Sequence, residues 1–274
     1  MKNLLKQTWA QIKAQPLMSA ISVLGTALAI FLIMIVIMLQ QVQTAPFAPE
    51  SGRDRFLHYR YISLNNDAWG PQDTSNGPMS EKTIKAVFDK LETPQAVAVY
   101  SWMAEPVPVS LPGIPAVNAD LLGTNIGFWK VFDFTFVAGS PYSQEQFDAG
   151  SPVVVLSEGV ARKLFGNTDV VGRDILIEHV VHRVCGVVRD VSTLANSSYA
   201  QMWVPYTSKA SSLEVWNEGI QGVLKVTMLA KEKSDFPAIR KELLGRFADF
   251  EQSNPGWNII HRNRPYDQET SMAG

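Results

Sequence analysis

The 274 residues carry a net charge of −2 and are 46% hydrophobic. This balance argues against a basic nucleic-acid-binding surface and leaves ample material for a core. A single cysteine, Cys185, excludes an intramolecular disulfide, so that core must hold the fold unaided.

The leader MKNLLKQTWAQIKAQP contains Lys2, Lys6 and Lys13 and no acid. Leu4, Leu5, Trp9 and Ile12 recur near helical spacing, which predicts an amphipathic helix over 1–16 lying along lipid headgroups and ended by Pro16. Ordinary basic flanking sequence is the alternative. Residues 17–40 then run without a charged side chain. At about 1.5 Å per residue, a helix of that length crosses the ~30 Å hydrocarbon core with some tilt. It lacks the polar stripe of a soluble core helix. It also exceeds the apolar centre of a cleaved signal peptide, and the nearest cleavage candidate, VQTA, is followed by Pro46. A retained transmembrane helix is expected. The lysines before it, and the absence of Lys or Arg after it until Arg53, place the N-terminus in the cytoplasm and the remainder outside. Gly25 and Ala29 form a small-xxx-small pair suited to packing against another span, although apolar helices offer such pairs often.

About 230 residues remain, enough for one large domain or two small ones. FLHYRYISL (56–64) reads as a strand, and NNDAWGPQDTSNGP as a long polar loop. MSEKTIKAVFDKL predicts a helix capped by Ser80, with Ile84, Val87, Phe88 and Leu91 on one face and Met79 and Ile84 as a hydrophobic staple. QAVAVYSW (95–102) completes a β-α-β unit. A second unit comprises a strand at 222–230, a helix with Phe236, Ile239, Leu243, Phe247 and Phe250 on one side, and a closing strand at 256–262. Pro237 falls in that helix's first turn, where it costs little. Two such units predict a split β-α-β, ferredoxin-like sandwich, so the fold class is α+β.

Between the units lies a mostly-β insert with one helix, entered at LPGIP. PVVVLS reads as a buried strand running into a helix capped by Ser157 and stopped by Gly166. DVVGRDILIE and HRVCGVVRDV read as a hairpin, with Cys185 as a small buried apolar residue. QMWVPY is a last strand with Pro205 at its edge.

FWKVFDFTFVAGSPY, VVVLSEGVARKLFG, VVGRDILI and VCGVVRDV, in this order, resemble the periplasmic core domain of MacB/FtsX-type ABC transporter permeases. The resemblance covers about 17 to 230, span included. Trp129 stands where relatives more often have Phe. The resemblance implies a cytoplasmic leader (1–16), a transmembrane helix (17–40), a porter-like sandwich (41–112 and 214–265), an inserted sabre-like domain (113–213) and a return linker (266–274). It implies a bacterial inner-membrane permease subunit, N-terminus cytoplasmic and main domain periplasmic, here its N-terminal part, with further spans expected beyond Gly274. Both ends of the exported region are then expected at its membrane-proximal end. ATP-driven motion would be transmitted to the periplasm for export, lipoprotein extraction or cell-envelope regulation. The implied partners are an ABC ATPase subunit, a second permease subunit in a homo- or heterodimer, a periplasmic adaptor or lipoprotein, and the lipid bilayer. No nucleic acid is expected. A self-contained single-span anchored binding or sensor protein is the alternative, and an anchored hydrolase is disfavoured.

The residues offer no catalytic, cofactor-binding or metal site. No G-x-x-x-x-G-K-[ST] occurs, so an ATPase must reside on another chain or domain. His179 and His182 in HVVH resemble a metal pair, but a three-residue spacing on a strand places the rings on opposite faces. Ser157 lacks the G-x-S-x-G of a nucleophile elbow and is explained as a cap. Asp133 with Lys130, and Asp190 with Arg189, read as solvated charges.

Overall fold

A continuous helix, α1, runs for 29 residues from Pro16 to Thr44. The computed structural model describes residues 13–70, 72–262, 264–268 and 270; the leader helix expected over 1–16 falls almost wholly outside them. Residues Met1–Ala45 and Pro46–Gly274 form separate units. Over Pro16–Leu39 none of the apolar window of α1 is buried against the protein. A soluble core helix would be covered, so this row of exposed Leu, Ile, Met and Val needs an apolar surrounding. Its Thr26 hydroxyl donates to the Ser22 carbonyl at 2.8 Å, which satisfies a polar group within the apolar run.

The second unit begins with β1 (Phe56–Tyr59) and β2 (Ile62–Asn66), separated at Arg60 and Tyr61. The single strand expected at 56–64 is thus two, and they enter different sheets. A period-2 pattern cannot show such a change of partner. β3 (Ser75–Gly77) lies within the expected polar loop and pairs with β2. Ser80 caps α2 (Glu81–Thr83), its hydroxyl accepting from the Thr83 amide at 3.2 Å. The chain continues as a π-helical turn, Ile84–Phe88, with Ile84, Val87 and Phe88 buried. β4 (Ala96–Ser101) follows.

Next come β5 (Glu105–Ser110), β6 (Val117–Thr124), α3 (Phe128–Val131), β7 (Phe136–Gly139) and α4 (Gln144–Asp148). β8 (Val153–Ser157), α5 (Glu158–Phe165), β9 (Asp174–Ile177), β10 (Val180–Val188) and β11 (Met202–Pro205) complete this region. The insert therefore holds three helices rather than one. α3 and α4 are single turns too short for a periodic signal, although the Ser143–Gln146 capping box marks α4. LPGIP is the tip of the β5–β6 hairpin, not the way into the insert. After β12 (Val215–Trp216) and β13 (Gln221–Gly222), β14 (Leu224–Leu229) leads through α6 (Phe236–Gln252) to β15 (Trp257–Ile259) and β16 (Tyr266–Asp267).

The sandwich sheet has the order β4-β14-β1-β16, each neighbour antiparallel. That is the strand order of a split β-α-β fold. Its fourth strand, however, is the two-residue β16, expected as the start of a linker. The apolar run at 256–262 instead contributes β15 to a small sheet with β2 and β3. The π-helical turn after α2 and helix α6 cover one face: Leu57, Tyr59, Val99, Val226 and Met228 pack there with Phe88, Ile239, Leu243 and Phe247.

β11-β8-β10-β9-β5-β6 follow one another by pairing, and β6 pairs back to β11 in parallel, closing a six-stranded barrel. Its interior takes alternate residues from every strand, such as Val107, Val109, Leu121, Val154, Leu156, Ile175 and Met202, while Val160 and Leu164 of α5 pack against them. Closure removes the free edges. An aromatic cluster of Phe56, Tyr100, Phe128, Phe132 and Trp203 fills the junction between barrel and sandwich.

Candidate functional site

The segment that follows α1 in the chain, Pro46–Arg55, is anchored before β1 begins. Glu50 and Arg53 are both 1% exposed. Glu50 Oε2 accepts from Arg53 Nε and Nη2 at 2.8 Å. Glu50 Oε1 accepts from the amides of Ser197 and Ser198 at 2.9 Å and from the Ser198 hydroxyl at 2.8 Å. Arg53 Nη2 also donates to the Leu194 carbonyl at 2.7 Å, and its guanidinium lies 4.1 Å from the Phe47 ring centre. A buried carboxylate costs several kcal/mol unless paired and hydrogen-bonded, and this one is both. The pair thereby locks the inbound segment to the loop that feeds β11. Nearby, the Ser51 hydroxyl donates to Asp133 Oδ2 at 2.6 Å, and the Asp133 amide donates to the Pro49 carbonyl at 2.9 Å.

The outbound segment is anchored to the same strand that the inbound one feeds. β16 pairs with β1 in the register Leu57–Asp267 and His58–Tyr266. Arg264 donates to the Tyr61 carbonyl at 2.5 Å and to Asn76 Oδ1 at 2.9 Å. Arg240 of α6 donates to the Pro265 carbonyl at 3.2 Å. His58 Nε2 stands 2.8 Å from Gln268 Oε1, and Nδ1 stands 3.0 Å from Thr227 Oγ1, itself 2.7 Å from the Tyr100 hydroxyl. These distances fit one assignment: Tyr100 donates to Thr227, Thr227 to Nδ1, and the Nε2 proton to Gln268. Burial holds this imidazole neutral, its pKa pushed down to about 3. A hydrogen-bonded chain thus crosses β4, β14 and β1 to the outbound segment.

Of these residues the sequence marks out two, Arg53 as the first base after the span and Asp133 as a charge beside Lys130. The Glu-x-x-Arg spacing of PESGR was the available signal, but burial decides its meaning. The residues that were weighed have structural partners. Ser157 Oγ accepts from the Val160 amide at 3.3 Å, as a cap. Asp190 accepts from the Gly159 amide at 2.8 Å, and Asp133 binds Ser51, so neither is merely solvated. His179 occupies the β9–β10 turn at φ 70°, not a strand, while His182 is buried with Nδ1 3.0 Å from the Val180 carbonyl. Among the described residues no three His, Cys, Asp or Glu converge as a metal site would require. The arrangement is suited to holding two chain segments together.

A family model described as the MacB-like periplasmic core domain matches residues 19–245. The chain is 36% identical over 97 residues to a macrolide export ATP-binding/permease protein MacB of Chromobacterium violaceum, covering 35% of this chain and 15% of that protein. It is 30% identical over 129 residues to the Escherichia coli protein of the same description, covering 46% and 19%. The chain thus spans under a fifth of the length of these relatives. Among solved structures, the periplasmic region of MacB from Actinobacillus actinomycetemcomitans matches with a TM-score of 0.52 at 15% identity, covering 79% of this chain and 92% of that one. A domain of a putative permease protein from Porphyromonas gingivalis matches with a TM-score of 0.52 at 14% identity, covering 76% and 88%. At such identity these two structures speak for the fold alone.

Proposed function

This chain belongs to the MacB-like periplasmic core domain family, and from that premise we propose that it is the N-terminal part of an ABC transporter permease subunit. In this reading α1 anchors it in the bacterial inner membrane, with the N-terminus cytoplasmic and the sandwich and barrel periplasmic. ATP is hydrolysed by a separate chain or domain, and a second permease subunit completes the dimer. The motion reaches the sandwich through its inbound and outbound segments and is used for export, lipoprotein extraction or cell-envelope regulation, with a periplasmic adaptor or lipoprotein as further partner. We group β5 with the barrel and β16 with the sandwich in this division of labour.

One observation carries the reading: β16 lies antiparallel beside β1, so the chain leaves the sandwich next to where it enters. A domain driven from one side needs both connections on that side. An independent binding domain has no such need. The test is to tag the gene product in its native host, extract it in mild detergent and identify what co-purifies. An ABC ATPase at a stoichiometric level is expected. Recovery with no ATPase, either as a partner or within the same polypeptide, would sink the permease role.

A further inference from the structure

The face of the sandwich sheet opposite its helices carries an unneutralised pair of cations. Lys225 of β14 is in register with Tyr100 of β4, and its ammonium lies 4.8 Å from the Tyr100 ring centre. On the other side, the β1–β14 ladder reaches Tyr59–Val226, and one further step brings Arg60 alongside Lys225. Like charges side by side across strands are destabilising. Neither Lys225 nor Arg60 has an ion-pair or hydrogen-bond partner among the described residues. A carboxylate that acts on Lys225, that of Glu50, is already engaged by Arg53 and the two serines. Burial and the Arg60 charge accordingly push the Lys225 pKa down to about 7.

Lys225 opens into a cleft of about 270 Å³, lined also by Trp102, Met103, Thr193 and Ser197. Thr193 and Ser197 bring hydroxyls to the same lining. Trp102 and Met103 are 40% and 46% exposed and present an apolar wall. The cleft has one acid, Asp120, whose Oδ2 accepts from the Tyr199 hydroxyl at 3.0 Å. Arg60 stands outside the lining, but its positive charge acts on Lys225 there. Such a volume suits a small head group with a short apolar body.

We propose that this cleft binds an anionic amphiphile, with a phosphate or carboxylate head at Lys225, drawn also by the neighbouring charge of Arg60, and an apolar body across Trp102 and Met103. The anion would supply the charge that the fold leaves out. The site stands on its own residues and does not depend on the permease reading.

The test uses the full chain in phosphatidylcholine nanodiscs, titrated with hexyl phosphate in a calorimeter. Saturable binding in the submillimolar range is expected, with K225M and R60Q each weakening it about tenfold, as loss of a charge-assisted contact does. D120N removes a competing negative charge and is expected to leave binding unchanged or tighter, which a general disturbance of the fold would not do. Thermal unfolding of each variant establishes that it is folded. A second preparation containing phosphatidylglycerol distinguishes the sources. Weakened hexyl phosphate binding there identifies a lipid head group as the occupant, and unchanged binding identifies a soluble anion. No saturable binding up to about 10 mM, equal affinity in folded K225M and R60Q, or a loss in D120N matching that in K225M would overturn the proposal.

Discussion

Arg53 shows how little of a residue's importance lies in its charge alone. Removing it leaves Glu50 buried with three donors but no counter-charge, and breaking a buried pair costs about 3–5 kcal/mol. R53M is therefore expected to lose about that much stability in urea unfolding, while E50Q/R53M regains a substantial part because no lone charge remains. Additive single and double variants would refute the coupling. His58 adds a pH dependence. Its folded pKa, about 3, lies below the ordinary value of 6.5. The unfolded chain therefore binds a proton that the folded one does not as pH falls below about 6.5. Stability from this group is complete above 6.5 and lost progressively toward 3, by up to about 1.4 kcal/mol per pH unit. Denaturation at pH 7.5, 6 and 5 should show a shallower slope in H58Q than in the wild type. Equal slopes would mean that the buried imidazole is not the source.

At the scale of elements, β7 and β10 depend on a pair of opposed glycines, Gly139 and Gly186. A Cβ on Gly186 would lie 2.6 Å from the Ser140 carbonyl oxygen and 2.8 Å from the Phe136 ring, and neither can withdraw freely. G186A is expected to destabilise by about 1–3 kcal/mol through overpacking, whereas G245A, on open helix surface with nothing within 4 Å, should be neutral or stabilising. Thermal unfolding of the two variants decides it, and equal midpoints would refute the close approach. The sequence carried the elements whose signal is local. The buried run of β8, the Ser157 cap and Gly166 stop of α5, and the five inward residues of α6 all follow from periodicity and capping. It did not carry pairings between distant segments. Barrel closure rests on Met202–Leu121 and its neighbours, 81 positions apart at that pair, and β16 is two half-buried residues with no apolar pattern. The site was less legible still, since the Glu50–Arg53 pair joins a polar loop to another polar loop 147 positions away.

For the whole molecule, orientation is the property that charge decides and geometry does not. Lys2, Lys6 and Lys13 precede the apolar run, and nothing basic follows it until Arg53, nine residues beyond the end of α1 at Thr44. Retaining three lysines on the cytoplasmic side is favoured during insertion, so the second unit should be outside. Single cysteines can read this directly. Lys163 lies on the exposed face of α5, and Ala14 is exposed just before α1. The native Cys185 will not obscure the result. Burial pushes its thiol pKa up to about 12, its Sγ donates to the Val154 carbonyl at 3.4 Å, and only a thiolate reacts with maleimide. In intact spheroplasts a membrane-impermeant maleimide is expected to label K163C fully and leave A14C and the wild type unlabelled; permeabilisation should expose A14C. Labelling of A14C but not K163C in intact cells would place the barrel in the cytoplasm. A periplasmic role would then be untenable, however well the fold matches the family.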